Sequence, residues 1–283
     1  MTRSVFDVAA SEYDTARPSY PAGLFGELER RTGPLAGRVV LDWGAGTGIA
    51  SRQLSDRGAV VVSLDIGEQM LRRARLRSPR VPGVLADGNR MPVRAAAADL
   101  TTFAQSWHWF DQRAAAAEVA RVLRPGGFWA AWWNRPRPAG EPWFDEYQEL
   151  ITASCPGYAG PNHRDEDLGP DWASTLVTSG ASGASGASGA SGASGGSGSS
   201  GSSGAPAGGR MEPADPVFVP WTRTVQAADW ITDERSHSYV IALDPALRES
   251  VLDRVAAIIS ARFPRGEMTV PYVTTLLLAR KAG

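Results

Sequence analysis

Cysteine is almost missing from this chain. Cys155 stands alone among 283 residues, so an internal disulfide and a cysteine-based zinc cluster are both excluded within one molecule. Histidine is scarce as well: His108, His163 and His237 are dispersed, and no carboxylate pair stands at recognisable ligand spacing, so no metal site is expected. Neither sign of charge is in excess. The 29 basic and 30 acidic side chains leave a net charge of −1 and a pI near 6.3, so nothing draws the whole molecule to nucleic acid or an anionic membrane, although a local basic patch is compatible with the totals. No run approaches the ~18 apolar residues of a membrane helix, and the N-terminal stretch, with Asp7 and no apolar segment, does not read as a signal peptide. The expectation is a soluble cytoplasmic protein with no membrane or nucleic-acid partner, its oligomeric state left open.

What is present in quantity is core material and punctuation. Hydrophobic residues make up 43% of the chain, enough for one large domain or a domain with an insertion. From Val39 to Trp133 apolar β-branched runs alternate with helical segments: strands at Val39 to Asp42, Val60 to Asp65, Val84 to Ala86, Asp99 to Ala104 and Phe128 to Trp133, with helices at Ile49 to Asp56, Glu68 to Arg77 and Gln112 to Leu123. Such alternation predicts an α/β fold, a mostly parallel, doubly wound sheet with helices on both faces. Further strands are expected at Val217 to Val225 and Thr269 to Leu278, with a helix from Pro245 to Phe263 between them.

Two stretches interrupt the pattern. Ser179 to Gly209 is almost wholly Ser, Gly and Ala, with Ala-Ser-Gly repeated from Ala181 to Gly195. It lacks any side chain able to anchor it in a core and is expected to be a disordered linker of roughly 30 Å reach. Before it, Trp143, Phe144, Tyr147 and Leu150 fall at helical spacing. They form either the apolar face of a lid or a helix packed on the sheet.

The chemistry is announced by Val39-Val40-Leu41-Asp42-Trp43-Gly44-Ala45-Gly46-Thr47-Gly48. An apolar strand runs into a turn whose glycines tolerate dihedrals that a Cβ obstructs and let the backbone approach a ligand. A dinucleotide fingerprint needs Gly-x-Gly-x-x-Gly; here the spacing is Gly-x-Gly-x-Gly and position 49 is Ile, so pyrophosphate binding and a nicotinamide-dependent oxidoreductase are the weaker reading.

This stretch resembles the first motif of the class I S-adenosylmethionine-dependent methyltransferases, and the rest of the chain follows the same family's order. Tyr13-Asp14-x-x-Arg17-Pro18-x-Tyr20-Pro21 is similar to the entry segment of the small-molecule branch (methyltransferase domain type 11/25-like). Val61 to Asp65, Ala86-Asp87-Gly88-Asn89, Gln105-Ser106-Trp107-His108-Trp109-Phe110-Asp111, Arg121 to Gly127 and Val270 to Thr274 stand where the family has comparable strings. The resemblance implies a Rossmann-like sheet closed by an antiparallel C-terminal hairpin. It also implies three parts: residues 1–135 as N-terminal lid segment and cofactor-binding core, 136–209 as inserted lid with linker, and 210–283 completing the same domain.

The cofactor implied is S-adenosyl-L-methionine. Gly44, Ala45, Gly46 and Gly48 would pass under its amino-acid end, with Asp42 orienting the loop. Asp65 would accept hydrogen bonds from the ribose hydroxyls, its alternative being a helix N-cap before Gly67-Glu68. Asp87 and Gly88 would meet the adenine, although Gly88-Asn89 departs from the family's usual apolar residue and Glu. Tyr13, Arg17, Tyr20 and Gln105 complete the set, with the N-terminal three reaching the cofactor's carboxylate or forming a surface turn stapled by aromatics. Trp43 is read as core beneath the sheet or as cover for the cofactor's edge. His108 is the candidate general base, or else a histidine leading into the helix that Asp111 caps. The function implied is methyl transfer to a small-molecule oxygen, nitrogen or carboxylate acceptor; the alternative is a cofactor-binding protein without turnover that acts through partners.

Overall fold

The computed structural model describes residues 17–138, 140–158, 172–178 and 210–283. Tyr13, His163 and the Ser/Gly/Ala tract lie outside the described residues. Among those described, eight strands form one sheet. At its centre β1 (Val39–Trp43) lies parallel between β2 (Val60–Asp65) and β4 (Ala98–Ala104), with β3 (Gly83–Leu85) outside β2 and β5 (Leu123–Pro136) outside β4. The last long strand, β8 (Glu267–Lys281), runs antiparallel to β5 from Phe128 opposite Arg280 to Pro136 opposite Tyr272. Its other edge takes β6 (Met211–Pro213) and then β7 (Val217–Gln226), both antiparallel. This is the mostly parallel α/β sheet with an antiparallel C-terminal closure expected from the sequence.

Period-two alternation distributes the apolar side chains to the two faces. Leu41, Trp43, Phe103, Trp129, Ala131 and Trp133 enter one core with α4 (Gln112–Val122). Val40, Val61, Leu100, Ala130 and Trp132 enter the other, against Leu24, Phe25 and Leu28 of α1 (Ala22–Thr32) and Leu54 of α2 (Ile49–Ser55). Trp43 is fully buried and packs on Phe103, which makes it core. Asp111 caps α4, accepting from the amides of Arg113 and Ala114 at 3.1 and 3.0 Å.

Several elements differ from the sequence reading. Helix α4 runs directly into β5, where the expected helix and strand leave residues 124–127 between them. Strand β5 already pairs at Leu123, opposite Ala98, and resumes at Phe128, opposite Leu100, so the intervening residues form a bulge in which Gly126 takes φ 77°. The sheet also extends through β6, and α7 (Ala227–Arg235) and α8 (Ser238–Ile241) fill a stretch where no element was expected. These two helices join α5 (Pro142–Ser154) and α9 (Pro245–Arg262) in a third apolar cluster built on Met268, Val270 and Tyr272, the N-terminal half of β8. The stripe of Trp143, Phe144, Tyr147 and Leu150 is buried within this helical layer. By contrast α6 (Trp172–Thr178) places Leu176 in the sheet's own core beside α4, so α5 and α6 serve different layers. Among the described residues no helix is long and apolar enough to cross a membrane.

Candidate functional site

At the carboxyl end of β1 the chain turns through three left-handed glycines, Gly44, Gly46 and Gly48, with φ of 64°, 56° and 80°. A Cβ on Gly44 would stand 2.7 Å from that of Ser106, whose hydroxyl donates to the carbonyl of Trp43 at 2.6 Å. The loop is pinned from both sides: the Ala45 amide donates to the carbonyl of Leu64 at 3.1 Å and the Gly46 amide to Oδ2 of Asp65 at 2.8 Å. The other carboxylate oxygen of Asp65 accepts from the amide of Gly67 at 2.7 Å. Asp65 thus ends β2 by joining the glycine loop to the turn before α3 (Glu68–Arg77), and the N-cap position itself belongs to Gly67.

Asp42 lies one layer deeper. Fully buried, it accepts from the hydroxyls of Ser51 at 2.5 Å and Thr102 at 2.8 Å, and so fastens the first turn of α2 to β1 and β4. Burial pushes its carboxyl up to about 6, against the opposing pull of those two hydroxyls. Its effect on the loop passes through α2.

Beyond β3, Asp87 is exposed and its Oδ1 accepts from the backbone and side-chain nitrogens of Asn89 at 2.9 and 3.0 Å. Asn89, the departure from the family pattern, therefore closes the turn. Gly88 is buried because a ring lies on it: a Cβ there would be 1.9 Å from Cε1 of Phe110, and the same ring passes 3.5 Å from the Cβ position of Gly44. Phe110 thus spans the two glycine corners, a position that sequence reasoning did not single out. Ile66, next to Asp65, holds an apolar side chain 53% exposed at the same edge.

The remaining candidates diverge. Tyr20 is buried, edge-on to Trp132 at 5.7 Å, and its backbone is held by Gln53 through two hydrogen bonds of 3.0 and 2.8 Å. Arg17 reaches away from the loop to Asp233, 3.3 Å from Oδ1, and donates to Ser236 at 3.2 Å. Gln105 ends β4 with φ 56°, unusual for a residue with a Cβ, while its amide donates to the carbonyl of Trp132 at 2.8 Å. His108 sits in a 3₁₀ turn, Trp107–Trp109, with its Nδ1 facing Nε1 of Trp133 at 3.4 Å; an indole only donates, so Nδ1 is the acceptor and the proton belongs on Nε2.

Gln105 and Arg17 both line a cavity of about 110 Å³ at this carboxyl edge, several times the room one water needs. His108 does not line it. The walls are aromatic, with Phe144 and Tyr147 from α5 and Trp230 from α7, and the polar floor is Asp233 and Glu234. Asp233 is matched by Arg17 and by Arg223, whose Nη1 donates to Oδ2 at 2.8 Å. Glu234, 2% exposed, accepts the hydroxyl of Tyr147 on Oε2 at 2.6 Å. Burial pushes the Glu234 carboxyl up to about 7. Neither Glu234 nor Trp230 was anticipated; the signal was an aromatic and two acids at i, i+3 and i+4 of a short helix, which ordinarily reads as a solvated acidic face. Among the described residues no cluster of His, Cys, Asp and Glu is placed to hold a metal.

Residues 41–131 match the family model described as a methyltransferase domain. The chain is 40% identical over 147 residues to an uncharacterised methyltransferase of Mycobacterium tuberculosis H37Rv, covering 52% of this chain and 58% of that relative. It is 34% identical over 128 residues to a demethylmenaquinone methyltransferase of Corynebacterium kroppenstedtii, covering 44% of this chain and 55% of the relative. The matches thus span little more than half the length of these relatives. In fold the chain is similar to a structure from Anaeromyxobacter dehalogenans described as a type II methyltransferase, with a TM-score of 0.58 and 23% identity over 94% of this chain and 97% of that one.

Proposed function

The chain belongs, through residues 41–131, to the class I S-adenosylmethionine-dependent methyltransferases, and from that premise we propose that it methylates a small-molecule acceptor held in the cavity beyond Gln105. S-adenosylmethionine, its cofactor, supplies a sulfonium-activated methyl group for in-line displacement. The observation that carries the proposal is the convergence of two glycine corners and a cavity on one carboxyl edge of the sheet, the edge where open α/β sheets collect ligands.

In this reading the Gly44–Gly48 loop passes under the amino-acid end, Asp65 takes the ribose hydroxyls, and Asp87 with Gly88 meets the adenine. Phe110 and Ile66 supply apolar surface for the adenine ring. Tyr20 and Asp42 act from behind, one through packing and the other through the first turn of α2. Arg17 serves the cavity wall. Positioning of two bound reactants supplies most of the acceleration such a displacement needs. The small cavity and the absence of a charge excess support a small molecule over nucleic acid as acceptor. A cytoplasmic location is part of the same proposal.

The test is incubation with methyl-labelled S-adenosylmethionine and a metabolite extract. Label should pass to a small organic product. Cofactor binding without any labelled product would instead favour a binding protein acting through partners.

A further inference from the structure

We propose that Glu234 is the proton acceptor of the acceptor site, and therefore that the acceptor presents an N–H or O–H group and is not a carboxylate. This rests on the cavity being the acceptor site. Trp230, Asp233 and Glu234 project from one face of α7, and all three line the cavity. Of the two acids only Asp233 is neutralised, by Arg17 and Arg223. Among the described residues Glu234 has no ion pair with arginine or lysine, and Nδ1 of His237 lies 3.7 Å from Oε2.

Its two oxygens are not equivalent. Oε2 takes the Tyr147 hydroxyl, whereas Oε1 is buried without a hydrogen-bond partner among the described residues. The indole N–H of Trp230, one helical turn earlier, also lacks one. Buried polar atoms are normally paired, so an unsatisfied carboxylate oxygen on a residue of the cavity wall fits a ligand carrying a polar hydrogen. A carboxylate acceptor would set a second anion against Glu234 and leave Oε1 unmet.

The groups facing Glu234 leave it the basic member of the set. Tyr147 of α5 is held well above its ordinary range by burial and by Glu234 itself, and Cys155 at the end of α5 is pushed up to about 11 by burial, so both keep their protons at neutral pH. The Tyr147 hydroxyl, with Tyr239 of α8 nearby, favours the charged carboxylate and Arg17 attracts its charge, while Asp233 opposes it; burial outweighs these. A carboxyl titrating near neutrality suits a general base. In the transfer the acceptor's lone pair forms the new bond to the methyl carbon, the carbon–sulfur pair stays on sulfur, and the proton lost from nitrogen or oxygen goes to Oε1 and then to solvent. His108, with Nδ1 engaged by Trp133 and no place on the cavity wall, is not positioned for this step.

The experiment uses the full chain with S-adenosylhomocysteine, whose binding is first measured by calorimetry. Failure there overturns the methyltransferase reading and not the role of Glu234 alone. With it bound, benzylamine, benzyl alcohol and benzoate are titrated against tryptophan fluorescence in wild type and Glu234→Gln. Wild type should favour the amine or the alcohol over benzoate at least tenfold, and Glu234→Gln should lose that preference at pH 8 while holding S-adenosylhomocysteine within twofold. Equal or tighter benzoate binding, an unchanged preference in the variant, or no binding of any probe to the loaded wild type would overturn the proposal. A second variant guards against misfolding. Tyr147→Phe removes a hydrogen bond that favours the charged carboxylate, so the pH midpoint of benzylamine binding should rise; a midpoint that stays or falls would count against Glu234.

Discussion

Asp65 shows how a single side chain joins two roles that the sequence presents as alternatives. Its carboxylate ties the amides of Gly46 and Gly67, so it organises the glycine loop and the entry to α3 together. Asp65→Ala should therefore weaken S-adenosylmethionine at least tenfold, since each charge-assisted bond is worth ~1.5 to 3 kcal/mol, and should lower the melting temperature as well. Calorimetry and a thermal scan on one variant check both; a stability loss with unchanged affinity would leave Asp65 a turn residue only. The two deeply buried acids make a separate prediction. Asp42 rises from 3.8 to about 6 and Glu234 from 4.5 to about 7, each because burial disfavours its charged form. Both hold their protons more tightly folded than unfolded. Their contribution is full below about pH 4 and is lost as pH rises through 7, of order 3 kcal/mol apiece. Glu234→Gln should thus flatten the fall of the melting temperature between pH 5 and pH 8, and parallel curves for variant and wild type would refute it. Gly44, Gly46 and Gly48 were legible in sequence because their spacing declares their dihedrals. Glu234 was not, because Tyr147, the partner that buries it, lies 87 residues away.

Among the elements, the parallel strands could be read because their runs are short, β-branched and bounded by glycine or acid. Strand β8 begins two residues before and ends three after the expected Thr269 to Leu278, and its N-terminal half contains Pro271, a residue that argues against a strand interior. That half nevertheless pairs with β7, Thr222 standing opposite Pro271, and carries the helical layer over the cavity. Helix α6 was placed with the inserted lid by its position in the chain, yet Leu176 is fully buried in the sheet's core. Leu176→Ala should cost ~2 to 5 kcal/mol in guanidinium unfolding, the range for large-to-small core changes; a cost under 1 kcal/mol would return α6 to the lid. Because α6 packs on β6, the Ser179 to Gly209 tract connects neighbours. Replacing it with a short Gly-Ser bridge should leave S-adenosylhomocysteine affinity within a few fold, and loss of folding across several bridge lengths would contradict this.

At the scale of the whole molecule one sheet supports both halves of the proposed reaction. The parallel half presents the glycine loop, Asp65 and Gly88. The antiparallel half, lengthened by β7 and β8, holds α5, α7 and α8 over the cavity, and Gln105 at the tip of β4 stands where the halves meet. The strands and glycine turn of the first half were readable, since they follow from local motifs. The second was not, since it is assembled from a helix before the Ser/Gly/Ala tract and two after it. The proposed methyl transfer depends on the glycine loop being a cofactor site, which calorimetric titration of S-adenosylhomocysteine into wild type and Gly46→Val measures. Gly46 holds φ 56°, which a β-branched residue adopts only under strain. The wild type should show one site per chain and no response to NADH, and a variant that remains folded should show no detectable binding. Equal S-adenosylhomocysteine affinity in the folded variant, or tighter binding of NADH by the wild type, would contradict the cofactor site.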